Sequence, residues 1–535
     1  MADQFNLSQG RKQSEIKGQN YLSWNQSITN MNFRKQTPLF SFFIAACWLV
    51  SLGAKEPGKP NIVIILTDDL GYGDVSFLNA ESKVKTPHMD RLAEEGVWAT
   101  DAHSPSTVCS PSRYSMLTGR YSWRRKISRL NPWKESYIVP ERVTLPKILK
   151  SKGYYSACVG KWHLGFDWPW KGGVKPPTSV IGSGTSKATC DLFDWSKPIQ
   201  GGPLGAGFDY YFGDDVPNMP PYAFIENDRL TCDPIDVDGG KLRKQQVMSG
   251  GYIHGVGPGQ KDWQLDQVMP MITAKAVETI KEQSKSTNPF FLYFSTTSPH
   301  SPIVPLDEFQ GKTQAGPYGD FVAQTDRAVG EIVAGLKEAG VYENTFLIVS
   351  SDNGPAPFMR DLIQKHQHNP SGALRGLKRD LLEGGHRVPF IASWPKGGIK
   401  DGRRIDSTLS LADLFATIAG MIGVPLEEGV AEDSLDVLPT LLSDVPVRTE
   451  LVYHASNGKL GLRQGDWAYL RRGGFTDEPG WFQEYWQGDS LDAPALLFDL
   501  SRDLAQKTNL STKHPRRVER MEERLAEIEK GTSTR

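Results

Sequence analysis

The sequence predicts an α/β protein built on a large, mostly parallel sheet flanked by helices. Three features carry that prediction. Continuous apolar runs rich in β-branched and aromatic residues recur along the chain. Helical patterns lie between them, and polar residues with chemical potential follow each run.

The first run is Asn61–Leu66 (NIVIIL), entered after Lys59-Pro60. It has no polar alternation, which is the pattern of a strand covered on both faces. Tyr155–Val159, Phe290–Ser295 (FFLYFS) and Phe346–Ser350 (FLIVS) repeat it. Helices are expected at Met89–Glu95, Leu145–Lys152, Met271–Gln283 and Asp320–Ala339. Strands alternating with helices imply a parallel sheet. Residues 165–260 are rich in Gly, Pro, Asp and aromatics and lack periodicity, so they read as an insertion of loops and short elements. After roughly residue 440, short strand-like pieces (Glu450–His454, Lys459–Arg463, Trp467–Leu470) precede a final helix. There Val518, Met521, Leu525 and Ile528 share one face. This predicts a small C-terminal α+β subdomain with an antiparallel sheet.

The chain has 535 residues and a formal net charge of -1. Such a length supports a substantial core without a disulfide or metal staple. Near-neutrality argues against nucleic acid as the main partner, because phosphate binding leaves a basic footprint. The 14 Trp exceed what this length leads us to expect. Most belong in a core, and some are candidate platforms for sugar rings.

The apolar stretch Leu39–Leu52 follows Arg34 and Lys35 and exits through Gly53-Ala54-Lys55. A basic flank, a short apolar core and small exit residues read as a secretory signal. It is short for a full bilayer span. The expectation is an exported protein, periplasmic or secreted, with no stable membrane span after signal removal. A retained signal anchor and a lipoprotein form at Ile44-Ala45-Ala46-Cys47 are the alternatives. Met31 is placed to be the true start, which makes Met1–Asn30 a mis-called extension. The expected layout is thus an extension over 1–30, a signal over 31–54, a catalytic domain over 55–440 and a subdomain over 441–535. Export permits disulfides. With Cys47 in the signal and Cys109 spent on chemistry, Cys190–Cys232 is the favoured pair, a point that sequence leaves open.

Thr67-Asp68-Asp69-Leu70-Gly71 follows the first run, and Ser351-Asp352-Asn353-Gly354 follows FLIVS. Gly160-Lys161-Trp162-His163 follows YSACV, and Thr296-Thr297-Ser298-Pro299-His300 follows FFLYFS. Parallel strands deliver such residues to one sheet edge. Singly, each is an ordinary turn or cap. Together, Asp68, Asp69, Asp352 and Asn353 form a hard-oxygen set whose mutual repulsion calls for a cation. With no His–Cys ligand spacing nearby, Ca2+ or Mg2+ is favoured over zinc. Lys161, His163 and His300 around that cation, with Arg113, suit a sulfate or phosphate.

Cys109-Ser110-Pro111-Ser112-Arg113 continues to Leu117-Thr118-Gly119-Arg120. Pro111 and Ser112 mark a helix start and Gly119 its end. Cys109 then sits at a helix N-terminus, where an anion is favoured. With this segment, Gly160-Lys161-Trp162-His163-Leu164-Gly165, Glu383-Gly384-Gly385 with Pro389, and Leu497-Phe498-Asp499-Leu500, the sequence resembles the type I sulfatases of the alkaline phosphatase superfamily. The resemblance covers about residues 60–510, with a general likeness to arylsulfatase-A-like and galactosamine-sulfatase-like members.

The resemblance implies an alkaline phosphatase-like fold, sulfate ester hydrolysis, and conversion of Cys109 to formylglycine by a maturation enzyme. It implies that one hydroxyl of the hydrated aldehyde attacks sulfur and that the second then expels sulfate. It implies Ca2+ (Mg2+ less so) on Asp68, Asp69, Asp352, Asn353 and the modified Cys109. Arg113 and Lys161 would steady the hydrate, with Lys161 also reaching sulfate. His163 would be the base for sulfate expulsion and His300 the acid for the leaving oxygen. Lys378 would hold sulfate, preferred over Arg375 and Arg379 by its spacing to Glu383-Gly384-Gly385. The expected substrate is a sulfated carbohydrate, with galactose and N-acetylgalactosamine units as candidates, or an aryl sulfate. Trp162, Trp168, Trp170 and Trp195, with Asp214, Asp215, Asn218, Tyr222 and Asn227, are candidates for sugar contacts. The alternatives are a phosphodiesterase or phosphonate monoester hydrolase of the same superfamily, and a non-catalytic carbohydrate binder.

Overall fold

Alternate residues of the first apolar run face two different cores. In β1 (Asn61–Asp68), Ile62, Ile64 and Leu66 enter one buried cluster, while Val63 and Ile65 enter another. Both faces are covered, which is why the run shows no polar alternation. The computed structural model describes residues 58–535 apart from 128–129, 183–184, 249–251, 358–359 and 475–484. The expected signal segment, its start at Met31 and Cys47 lie outside the described residues. No helix among the described residues is long and apolar enough to cross a membrane.

The main sheet has ten strands. They are β1, β2 (Val97–Ala99), β3 (Tyr155–Gly160), β4 (Tyr210–Gly213), β5 (Ile225–Glu226), β6 (Arg229–Leu230), β7 (Phe290–Pro299), β8 (Thr345–Ser351), β9 (Phe390–Ser393) and β10 (Arg403–Ile405). Their spatial order is β10-β2-β9-β8-β1-β7-β3-β4-β5-β6. The middle strands β8, β1, β7, β3 and β4 are mutually parallel. Antiparallel pairing enters at β8–β9, β9–β2 and β4–β5–β6. All four predicted runs are strands in the parallel middle. In register, Leu66 is opposite Ser295, Thr67 is opposite Ser351, and Ser295 is opposite Gly160. The residues that follow these strands therefore emerge level with one another.

Helices cover both faces. α1 (Pro87–Glu95), α4 (Val268–Gln283) and α5 (Gly316–Glu338) pack on the Val63 side. α2 (Cys109–Thr118) and α3 (Leu145–Lys150) pack on the Ile62 side. The stretch 165–260 is not all loop, because β4, β5 and β6 from it extend the main sheet. Strands of two to four residues are too short to show a period.

The tryptophans of this stretch are packing residues. Trp170 stacks on Phe193 at 4.4 Å, Trp133 meets Trp168 at 5.0 Å, and Phe193 stacks on Trp195 at 4.8 Å. Trp162 is fully buried, and its Nε1–H donates to the Gly165 carbonyl at 3.1 Å. The favoured Cys190–Cys232 disulfide is absent: both thiols are free. Burial and the Asp236 carboxylate push Cys190 up to about 12, so it is held as the unreactive thiol.

A four-stranded antiparallel sheet follows, made of β11 (Glu450–His454), β12 (Leu460–Gln464), β13 (Trp467–Arg471) and β14 (Ala495–Asp499). α6 (Pro515–Lys530) buries Met521, Leu525 and Ile528 against Val452, Leu462, Tyr469 and Leu497 of that sheet. A buried charge cluster joins the two sheets. Arg463 on β12 donates to Asp101 at 2.8 Å, and His103 contacts the same carboxylate at 2.9 Å. Arg387 lies 3.2 Å from Asp101 and 3.0 Å from Glu383. Burial works to raise the Glu383 carboxyl, but His103, Arg463, His386 and Arg387 outweigh it and hold Glu383 at about 2 rather than 4.5.

A carboxyl depressed in this way makes the unfolded state bind more protons, so stability rises with pH across the window. Unfolding free energy should therefore fall as pH drops from about 4.5 to about 2. Denaturant titrations at stepped pH check this. Glu383→Gln should be less stable at pH 7 and show a slope shallower by about one proton in that window.

Candidate active site

Val108 is extended (φ −144°, ψ 143°), and the chain turns into α2 at Cys109. Pro111 fits the first turn, where its missing N–H has no intrahelical partner. Gly119 closes the helix in the left-handed region (φ 63°), with its N–H on the Ser115 carbonyl at 2.8 Å. Every residue of α2 is buried. Across the site, the Gly354 N–H donates to the Gly385 carbonyl at 3.0 Å. A Cβ on Gly354 would stand 1.9 Å from the Gly384 oxygen, so the Asp-Asn-Gly and Glu-Gly-Gly segments interlock only through glycine.

The charged groups form buried pairs. Arg113, one turn beyond Cys109, sends Nε and Nη2 to Asp352 Oδ2 at 2.9 and 2.6 Å. Its Nη1 reaches the Tyr293 hydroxyl at 3.3 Å and also Ser295 Oγ. Lys161 Nζ donates to Asp68 Oδ2 at 2.6 Å, and Lys378 Nζ donates to Asp69 Oδ1 at 2.6 Å. Asn353 Nδ2 donates to the same Asp69 oxygen at 2.7 Å. His300 Nε2 lies 3.7 Å from Asp69 Oδ2. A carbonyl can only accept, so the contact of His300 Nδ1 with the Ser301 carbonyl puts the ring proton on Nδ1.

Three oxygens at this point have no hydrogen-bond partner although buried: Asp68 Oδ1, Asp69 Oδ2 and Asn353 Oδ1. Asp68, Asp69, Cys109 and His300 can each bring one ligand atom within 4.8 Å of the others. An orphaned buried acceptor costs about 1–3 kcal/mol. Several hard oxygens that share that cost are the donor set of a Ca2+-type ion. The residues present fit such a cation.

Titration follows burial and neighbours. Burial would raise Asp68, but Lys161, His300 and Arg113 hold it below its ordinary value. Burial first, then the Lys161 and Arg113 charges, keep His163 well below the ordinary histidine range. Both His163 ring nitrogens lack partners. Burial raises the Cys109 thiol despite Lys161 and Lys378 nearby. Asp69 (φ 65°) and His163 (φ 53°) sit in the left-handed region, the kind of local strain, about 1–3 kcal/mol each, that collects at functional sites.

A cavity of about 600 Å3 opens on this cluster. Asp69, Cys109, His163, His300 and Lys378 line it, together with Arg379. Arg375 turns away, with Nη1 near the Gln506 and Asp489 carbonyls at 3.3 and 3.4 Å. Among the described residues, no tryptophan lines the cavity. Of the five polar candidates for sugar contacts, Asn218 alone lines it. Asp215 instead accepts the His163 N–H at 3.0 Å. Asp214 is buried without partners for either oxygen, and burial raises it to about 7. The Tyr222 hydroxyl donates to the His254 carbonyl at 2.6 Å, and Asn227 accepts the Tyr211 N–H in a hairpin.

Tyr293 and Ser295 were not anticipated as partners of Arg113. They lie inside the FFLYFS run, where an apolar pattern hides them. Asn131, Thr185, Tyr252, His254 and Arg379 were not anticipated as lining residues. Arg379 alone carried a signal, its place next to Lys378.

The sheet edge, the paired cations and the cavity define an ester hydrolase that works on an oxyanion. The sulfatase family model matches residues 60–424. An N-acetylgalactosamine-6-O-sulfatase of Bacteroides thetaiotaomicron is 34% identical, covering 88% of this chain and 93% of its own length. Human arylsulfatase A is 30% identical, covering 86% of this chain and 85% of its own length. A solved sulfatase structure from the multiple-glycosaminoglycan metabolism of Bacteroides thetaiotaomicron superposes with a TM-score of 0.75 at 30% identity, covering 89% of this chain and 100% of that one. The chain belongs to the sulfatase family and is a sulfuric ester hydrolase. A phosphonate monoester hydrolase from Silicibacter pomeroyi shares the fold, with a TM-score of 0.58 at 15% identity over 88% of this chain and 95% of that one.

Lys378 and Arg375 should separate cleanly by mutation. Lys378→Ala should lower sulfatase turnover at least about a hundredfold, the scale of removing one group aimed at developing charge. Arg375→Ala should instead lower the thermal midpoint while any folded fraction keeps near-normal kcat. Paired turnover and melting measurements on both variants check this.

Proposed function

We propose that the protein hydrolyses sulfate esters of carbohydrates through a formylglycine made from Cys109, with Ca2+ on Asp68, Asp69, Asp352 and Asn353. The observation that carries this reading is the set of three orphaned oxygens beside Cys109, flanked by Lys161, Lys378, His300 and Arg113. The raised Cys109 thiol supports it from the other side. An unmodified cysteine nucleophile needs a lowered pKa, and burial here does the opposite. The carbohydrate part rests on the names of the relatives and on a cavity wall rich in polar side chains.

When formed, the aldehyde hydrate would supply two hydroxyls on one carbon, and a cation held by Asp68, Asp69, Asp352 and Asn353 would supply positive charge beside the reacting sulfate. Arg113 has no freedom to move, because Asp352, Tyr293 and Ser295 hold its guanidinium. It fixes the first turn of α2 and so the position of residue 109. Lys161 and Lys378 bring two ammonium groups to the site of developing negative charge. His300, whose Nδ1–H is held by the Ser301 carbonyl, serves the leaving oxygen as acid through Nε2 in its doubly protonated, imidazolium form. His163, held neutral and unpartnered, takes the proton of the second hydroxyl when sulfate leaves. Export by the 31–54 segment and a maturation enzyme acting on Cys109 belong to the same proposal.

Mass spectrometry of the tryptic peptide Leu92–Arg113 from native-source protein tests the nucleophile. An aldehyde in place of the thiol is expected, and a quantitative intact thiol in active enzyme refutes the assignment. Cys109→Ala should lose at least about a thousandfold in kcat, on the scale of nucleophile deletions. Chelation should abolish turnover, with Ca2+ restoring it better than Mg2+. Matched aryl sulfate and aryl phosphonate esters should be turned over in favour of the sulfate.

A further inference from the structure

His163 is held in place by very little. It lines the cavity, is 3% exposed, and has no partner for either ring nitrogen. Its backbone lies in the left-handed region at φ 53°, where a residue with a Cβ is strained. Its N–H donates to Asp215 Oδ1 at 3.0 Å. Among the described residues this is the only hydrogen bond that His163 makes. The two residues before it have anchors of their own. The Lys161 N–H donates to the Ser295 carbonyl at 2.9 Å, and Trp162 Nε1–H donates to the Gly165 carbonyl at 3.1 Å.

Asp215 is itself firmly placed. It lies just past β4, whose end touches the end of β3: a Cβ on Gly213 would stand 2.0 Å from the Gly160 carbonyl oxygen. The Tyr211 hydroxyl donates to the Asp214 carbonyl at 3.0 Å and fixes the chain as it leaves β4. Asp215 is buried and is not among the residues that line the cavity. It therefore reaches the site only through His163.

Resting on the reading above in which His163 is the base for sulfate expulsion, we infer that Asp215 is a positioning residue, whose Oδ1 holds residue 163 in the left-handed conformation that keeps the imidazole on the cavity wall. The donor is a neutral N–H, so the bond needs an acceptor oxygen and not a charge. Without that bond nothing offsets the backbone strain, and residue 163 relaxes out of the conformation. A displacement of about 1 Å can cost a hundredfold in rate. In the same reading the alcohol has already left when His163 takes its proton. Displacing the base therefore slows sulfate expulsion and spares alcohol release.

The test uses 4-nitrophenyl sulfate, whose coloured alcohol reports the first step. In Asp215→Ala and the nearly isosteric Asp215→Leu, kcat should fall about a hundredfold. KM should fall with it, kcat/KM should stay nearly unchanged, and a burst of 4-nitrophenol should precede the slow steady state. Asp215→Asn keeps an acceptor oxygen and should retain wild-type kcat. A crystal structure of Asp215→Leu should find residue 163 out of the left-handed region. His163→Ala is the reference and should show the same burst. If it does not, the base assignment fails and takes the inference with it. If it does, but neither Asp215→Ala nor Asp215→Leu shows the burst, the inference is overturned and the base assignment stands. Asp215→Asn as slow as Asp215→Ala marks the charge rather than the bond, which also overturns the inference. So does a leucine variant in which residue 163 keeps its conformation. If neither the alanine nor the leucine variant folds, Asp215 serves the fold rather than the site, and the inference is again overturned.

Discussion

The pair between Arg113 and Asp352 is the constraint on which the site depends. Both side chains are fully buried, so water can relieve neither charge. Breaking such a pair costs about 3–5 kcal/mol, because the remaining charge stays in the interior. The pair also joins two elements that carry different chemistry. Arg113 belongs to the helix that begins at Cys109, and Asp352 directly follows the strand that ends at Ser351 and leads into Asn353. Cys109 and the oxygen set are thus locked to each other by one guanidinium. Tyr293 and Ser295 complete the lock from a third strand.

The remaining charges follow the same logic. Each carboxylate at the sheet edge has a cation or an amide on one oxygen, and the other oxygen of Asp68 and Asp69 has no hydrogen bond, with only a charged group 3.7–3.8 Å away. Pairing on one side makes burial tolerable, and orphaning on the other leaves the site ready for a ligand. The second buried cluster, around Asp101 and Glu383, has a different outcome. Two arginines and two histidines surround its carboxylates, and it ties the C-terminal sheet to the main one. It therefore serves cohesion rather than chemistry, although the Glu-Gly-Gly segment contributes to both.

Much of this was legible in the chain itself. The four apolar runs announced the parallel middle of the sheet, since a strand buried twice has no polar alternation. The residues following them announced the oxygen set and the cations. Cys109, Pro111 and Gly119 announced the helix and its ends. Residues 165–260 were far less legible. Short strands show no period, and Trp168 and Trp170 look the same in sequence whether they stack on Phe193 or on a sugar.

What the sequence determined alone was local: which segments become strands, where the helix of Cys109 starts and stops, and which residue types stand at each strand end. Those outcomes follow from periodicity, propensity and turn chemistry, which act over a few residues. Only the tertiary structure decided which groups meet. It put Lys378 rather than Arg375 at the cavity, sent Asp215 beneath His163, and left Asn218 alone of its group facing the cavity. Such choices rest on contacts between residues far apart in the chain, where burial and the need to pair every charge select one arrangement.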